Sequence, residues 1–267
     1  MRQPLTVFTH FYNEEVLLPF WLEHHVKLFE HGVLIDYAST DRSREIIREK
    51  APHWEVRASK NEFFGATACD LEVMATEREF GGWKLALNVT EFLFHEDLRA
   101  YLERFEAQHP EVPAIGIPSF VMVDRVADAA LPLTSEPLWR QRTHGYFDGD
   151  RRTRRLRYLH RERDGAYEMG RHGTGHRSVE AQDLALLWFG WSPYAQIRAR
   201  KLQIQMRMPE SDKQAGWGWQ HLVTPEQLDA RFQDEARKTR SLLEDPRYER
   251  TFSRMTQLLE PRTERRA

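Results

Sequence analysis

Leu5-Thr6-Val7-Phe8, then Phe11-Tyr12-Asn13-Glu14-Glu15-Val16-Leu17-Leu18-Pro19, reads as a buried strand that runs through a polar loop into a helix. Asn13 is predicted to cap the first free amides, and the two acids suit the positive end of the helix dipole. Val16, Leu17, Phe20, Trp21 and Leu28 recur at helical spacing, and His31-Gly32 reads as the stop. Pro19 falls near the first turns, where its ring costs least. The unit then repeats. Val33-Leu34-Ile35 is a second strand ending on Asp36, and Ser39-Thr40-Asp41 forms a capping cluster before a helix through Arg44-Glu45-Ile46-Ile47. Trp54-Glu55-Val56 gives a third strand, Asp70 to Phe80 a helix broken at Gly81-Gly82, and Trp83-Lys84-Leu85-Ala86-Leu87 a fourth strand. This repetition predicts an α/β fold with parallel strands and crossover helices.

Farther along, Ala114-Ile115-Gly116-Ile117 and Phe120-Val121-Met122-Val123 look like strands split by Pro118. Between Tyr146 and Tyr167 the stretch DGDRRTRRLRYLHRERDG is dense in arginine and bounded by Asp-Gly pairs. It reads first as a solvated hairpin, with a phosphate or lipid head-group patch as the alternative. Thr224-Pro225-Glu226-Gln227 carries a capping Thr, Pro at the first helical position and Gln three residues on. Residues 223–267 are therefore expected to form a helical extension, with a second short helix around Tyr248 to Leu259, on a main domain of residues 1–222.

Composition narrows the class. The 267 residues carry 39 Lys+Arg against 41 Asp+Glu, so a net charge of −2 gives no support to nucleic-acid binding, and any basic patch must be local. The single cysteine, Cys69, excludes an internal disulfide framework and fits a reducing compartment. No apolar run approaches 18 residues, and the opening lacks the basic and apolar regions of a signal peptide. The expected location is cytoplasmic, with the inner face of the membrane as an alternative.

In an open parallel sheet, ligands bind outside the carboxyl ends of the strands, next to helix N-termini. Three such ends carry polar clusters: Phe11-Tyr12-Asn13-Glu14, Asp36 through Ser43, and Asn88-Val89-Thr90-Glu91. Singly, each is an ordinary helix cap. Their repetition along one edge of a sheet points to a ligand, with Asp36 placed to accept a bond from a base N–H or a sugar hydroxyl.

Those same residues carry a resemblance. Phe11 to Pro19, followed by Ile35-Asp36-Tyr37-Ala38-Ser39-Thr40-Asp41-Arg42-Ser43, is similar to the opening of family 2 glycosyltransferases, over roughly the first 95 residues. The resemblance implies a GT-A fold with a mixed, mostly parallel sheet flanked by helices. It implies a nucleotide-diphosphate-sugar donor and inverting transfer to a hydroxyl of a carbohydrate, lipid or protein acceptor. Tyr12, Asn13, Glu14, Asp36, Ser39, Asp41, Asn88 and Thr90 are then the donor-binding candidates. Where the family carries Asp-x-Asp for a divalent cation, this chain reads Asn88-Val89-Thr90-Glu91-Phe92-Leu93. Hard cations prefer carboxylate oxygens, so Mg²⁺ or Mn²⁺ is expected to bind less well, with Glu91 and His176 as the remaining metal candidates. Three readings stay open: a weakened metal site, metal-independent transfer, and a sugar-nucleotide or glycan-binding relative without catalysis.

Glu168 to Arg177 is a Gly-rich loop holding Arg171, His172 and His176. In the resembling subgroup a Gly-x-His element and a later Arg-Lys pair occur here, for which Gly173 to His176 and Arg200-Lys201 are the counterparts. Arg171, His176 and Lys201 are the candidate cations for the departing diphosphate, and Glu168 or Asp183 the candidate base. Trp217 and Trp219 are candidates for an acceptor wall. A metal-dependent hydrolase using His172, His176 and His221 is the most distant reading. All of this requires Asn13, Asp36 and Glu91 to converge on one hollow.

Overall fold

The computed structural model describes residues 3–95, 97–149, 155–216 and 222–246. In chain order the elements are β1 (Leu5–Phe11), α1 (Leu18–His25), β2 (His31–Asp36), α2 (Ser43–Lys50), β3 (Glu55–Ala58), α3 (Ala66–Glu77) and β4 (Trp83–Ala86). There follow β5 (Glu91–Phe94), α4 (Leu98–Gln108), β6 (Ala114–Ile117), β7 (Ser119–Val123), α5 (Leu138–Gln141), β8 (His144–Phe147) and β9 (Arg157–His160). The chain continues through β10 (Ser178–Glu180), β11 (Ala185–Trp191), α6 (Tyr194–Arg207), α7 (Glu210–Gln214), α8 (Pro225–Lys238) and β12 (Arg240–Ser241).

The fold is mixed α/β. A seven-stranded sheet runs β10-β6-β9-β4-β1-β2-β3. Its β1, β2, β3 and β4 are parallel, as the strand–helix repetition predicts, while β9 lies antiparallel between β4 and β6. β1 and β4 are buried along their whole length, which explains their near-continuous apolar runs. Phe11 is in register with Asp36 and Asp36 with Ala58, so the loops after β1, β2 and β3 emerge side by side. A second sheet, β12-β8-β7-β11-β5, packs its apolar strands into the same core.

Several expectations are corrected. α1 begins at Leu18, not at Asn13, because Asn13 sits in the left-handed region (φ 50°) and turns the chain before the helix. His31-Gly32 starts β2 instead of stopping a helix. Gly32 is required there by packing: a Cβ would lie 2.2 Å from the Trp54 ring. Gly32→Ala should therefore cost about 1–3 kcal/mol of stability, read as a lowered denaturation midpoint, through overpacking against a rigid indole. The Arg-dense stretch is not a hairpin, since β8 belongs to the second sheet and β9 to the first.

Thr224 and Gln227 form the reciprocal capping box that their spacing predicts, with Pro225 opening α8. α8 packs on α6, where Phe232 stacks on Tyr194 at 3.7 Å, and β12 pairs with β8. The short helix expected around Tyr248 to Leu259 lies outside the described residues, as do Trp217, Trp219 and His221. Among the described residues no helix is long and apolar enough to cross a membrane.

Candidate functional site

The polar clusters at the carboxyl edge divide into those that stitch loops together and those that line cavities. Asn13 Oδ1 accepts from the amides of Thr40 and Asp41 at 2.7 and 3.3 Å, and the Asn13 amide donates to Ser39 Oγ at 3.0 Å. Asp41 accepts from the amides of Glu15 and Ser43, each at 2.9 Å. Asn13, Ser39 and Asp41 thus join the loops after β1 and β2, and none of them lines a cavity described here. Glu14 is buried and ion-paired with Arg200 of α6. Burial pushes its carboxyl up, against the pull of that guanidinium.

Asp36 is different. It is buried at the end of β2, accepts from the Ser39 amide at 2.9 Å, and faces Arg44 Nε at 3.4 Å. With Tyr37, Ser59, Asn61, Phe63 and Arg207 it lines a hollow of about 570 Å³, within the range of small-molecule sites. Arg207 lies 4.4 Å over the Tyr12 ring and donates to the carbonyls of Tyr37 and Glu62, holding the wall of this hollow.

A second cavity, of about 190 Å³, adjoins the first: Phe64 and Met208, next in sequence to Phe63 and Arg207, are part of its lining. Its cations are Arg155, Arg157, Arg171, Arg200 and Lys201, against the carboxylates Asp70 and Glu91. Arg157 Nε and its terminal nitrogen reach both Glu91 oxygens, at 2.8 and 2.6 Å. Arg171 donates to Asp70 at 2.8 Å and to Asn88 Oδ1 at 2.7 Å. Asp70 also accepts the Gly170 amide at 2.6 Å, and this double hold keeps Arg171 in the left-handed region (φ 59°). The Arg155 guanidinium and the Lys201 ammonium form no ion pair with a carboxylate among the described residues; each is stacked on an indole, Arg155 at 4.8 Å from Trp188 and Lys201 at 4.7 Å from Trp191.

Burial and the crowd of cations set the protonation states. Burial, then Arg171, Arg200 and Arg157, hold His10 well below its ordinary value, so it is neutral and its Nδ1 lies 3.3 Å from Arg171. His172 is lowered to about 2 by burial and by Arg157 and Arg155, and its Nδ1 lies 3.1 Å from Arg157. Burial pushes the Glu91 carboxyl up, but Arg157 and the Asn88 amide overcome it, and Glu91 stays ionised below its usual range. Lys201 is lowered to about 7 by burial and by Arg200, Arg155 and Arg231. An anion entering this cavity would meet donors already in place and would raise the ammonium's affinity for its proton.

A divalent cation is the group that the resemblance would add, and the donor set does not fit it. Both Glu91 oxygens are held by Arg157, Asn88 and Thr90 carry no carboxylate, and five cationic side chains line the cavity. His176 does not reach Glu91's cavity: its Nε2 bonds the Asp164 carbonyl at 2.7 Å. Among the described residues no three His, Cys, Asp or Glu side chains could share an ion.

Of the predicted residues, the structure brings Asn88, Thr90, Glu91, Arg171 and Lys201 to the second cavity and Asp36 to the first. The expectation of one shared hollow is thereby corrected to two adjoining ones, with Asn13 in neither. Both predicted bases are displaced. Glu168 is exposed and folds over Gly173, where an added Cβ would lie 2.2 Å from its Oε2. Asp183 is exposed and lines none of the cavities described here. Missing from the sequence reading were His10, Asp70, Arg155, Arg157 and Arg207. Arg157 is legible only within the Arg-dense run, read first as a solvated hairpin and second as a phosphate or lipid head-group patch, and it is 3% exposed.

No protein-family model matches the chain, and no curated protein does. Solved structures do. S. aureus TarS overlays 48% of this chain and 23% of that one, at 16% identity and a TM-score of 0.33. TarS 1-349 overlays 98% of this chain and 76% of that one, at 12% identity and a TM-score of 0.40. TarS 1-349 in complex with UDP-GlcNAc gives 49% and 37%, at 17% identity and a TM-score of 0.32. Glucosyl-3-phosphoglycerate synthase from Mycobacterium tuberculosis, in complex with phosphoglyceric acid, gives 48% and 46%, at 10% identity and a TM-score of 0.31. This chain thus spans less than a quarter of the length of the TarS structure given first.

Proposed function

We propose that the chain is a glycosyltransferase that takes a nucleotide-diphosphate sugar and transfers the sugar, with inversion, to an acceptor hydroxyl without a divalent cation. The observation that carries this reading is the pair of adjoining cavities at the carboxyl edge. One is nucleoside-sized and holds Asp36; the other holds five cations, of which the Arg155 guanidinium and the Lys201 ammonium form no ion pair with a carboxylate among the described residues. In this reading Asp36 accepts a bond from the nucleoside. Arg155, Arg171 and Lys201 meet the diphosphate, whose negative charge grows as its bond to the anomeric carbon breaks. The acceptor oxygen forms the new bond to that carbon and gives up its proton.

Asp148 is the carboxylate assigned to that proton. It lines a further groove that shares Arg155, Trp188 and Lys201 with the cationic cavity, and it accepts the Arg155 amide at 3.1 Å. Asp148→Asn should lower kcat by about 100-fold or more while nucleoside diphosphate affinity stays unchanged. An unaltered kcat removes Asp148 from the reaction. Asp36→Ala and Asp36→Asn should both abolish nucleotide binding in calorimetric titration, with the isosteric Asn variant keeping the thermal midpoint. Full affinity in either removes the nucleoside assignment.

A second reading has one observation in its favour: both carboxylates in the cationic cavity, Asp70 and Glu91, are already ion-paired. A chain that binds a sugar nucleotide without transferring the sugar would show tight binding and no release of nucleoside diphosphate with any acceptor.

A further inference from the structure

The groove that holds Asp148 extends away from the cationic cavity between the second sheet and α8, with a volume of about 400 Å³. Its aromatic lining is Tyr146, Trp188 and Trp191; Asp148 lies just past β8, and α8 contributes Asp234 and Glu235 together with Arg231 and Lys238. Both indoles are only half-buried, and a cation lies over one face of each, Arg155 over Trp188 and Lys201 over Trp191. Glu235 is anchored rather than loose: it accepts the Tyr146 hydroxyl at 2.6 Å and the Lys238 ammonium at 2.7 Å.

We propose that this groove binds the acceptor, and that the acceptor is an uncharged carbohydrate; this rests on the glycosyltransferase reading. A pyranose offers an apolar C–H face to an indole and a rim of hydroxyls to carboxylates, which is the lining found here. Charge points the same way. Arg155 and Lys201 are shared with the cationic cavity and are drawn to the donor's diphosphate. What remains for the acceptor is two cations, Arg231 and Lys238, beside three carboxylates, two of them on the same helix α8 and Glu235 already paired with Lys238. A phosphate or carboxylate on the acceptor would lie beside like charges there, which disfavours it. The position fits transfer as well, because the groove meets the diphosphate cavity at Arg155, Trp188 and Lys201 and brings Asp148 to their junction.

The test is saturation-transfer NMR and calorimetry on the full chain with saturating UDP or GDP, whichever binds, using cellotetraose, maltotetraose and triacetylchitotriose against trigalacturonic acid and glycerol 3-phosphate. At least one neutral oligosaccharide should bind saturably, roughly tenfold or more tighter than either anionic probe. Trp191→Ala should weaken that binding about tenfold, whereas Trp191→Phe, which keeps a ring, should retain most of it. Absence of binding by every neutral probe, tighter binding of an anionic one, or an unchanged affinity in Trp191→Ala would overturn the proposal. Titration of the same samples with UDP and with GDP keeps the two readings apart. Absence of binding by both UDP and GDP in the wild-type chain counts against the donor site, while nucleoside diphosphate binding without carbohydrate binding counts against the groove alone.

Discussion

Arg157→Leu is expected to lower the free energy of unfolding by about 3–5 kcal/mol, the range for removing one partner of a buried ion pair. Arg157 and Glu91 are both almost fully buried, and the guanidinium spans both carboxylate oxygens. Without it, Glu91 is an uncompensated charge next to the core of the second sheet. The double variant Glu91→Leu/Arg157→Leu should recover more than half of the loss, because neither charge of the pair is then left without its partner, although the Asn88 amide loses its acceptor and the Gly170 carbonyl its donor. Urea denaturation of the single and double variants reads both numbers. A single variant within about 1 kcal/mol of wild type would mean that the pair is solvated and does not set the cavity wall.

Lys201→Ala is expected to lower kcat/KM by about 100- to 1000-fold, the effect of deleting one preorganised donor at developing charge. Its pH behaviour gives a sharper signature. The ammonium is lowered to about 7 in the free protein, so below pH 7 it is charged and above it neutral. A bound diphosphate favours the charged form, so binding takes up a proton and affinity falls as pH rises above 7, by up to tenfold per pH unit. Lys201→Arg keeps a fixed charge and should flatten the profile between pH 7 and 9. A wild-type profile flat over that interval would remove Lys201 from contact with the anion.

How far the sequence discloses this depends on distance along the chain. β1, β2 and β4 are readable because strands buried on both faces leave continuous apolar runs, and Asp36 is readable because it ends one of them. The polar residues after β1 and β2 are also plain, but their use is not. Asn13, Ser39 and Asp41 bond across 26 to 28 residues to one another's loops, a pairing that capping rules do not anticipate. The cationic cavity was the hardest part to foresee. Arg157 meets Glu91 across 66 residues and Arg171 meets Asp70 across 101, contacts that exist only once β9 enters the sheet beside β4. Composition favours a solvated Arg-dense stretch over a phosphate patch. The available signal was Leu156, Tyr158 and Leu159 interleaved with its arginines, enough apolar surface to draw that segment inward, and Arg157–His160 is buried throughout.

The most direct test of the central claim is calorimetric titration of the full chain with UDP- and GDP-sugars, in EDTA and again in Mn²⁺. Saturable binding of at least one of them, equally strong in EDTA, is the predicted result. Binding that appears only with Mn²⁺, or no binding of any sugar nucleotide in either condition, would contradict it.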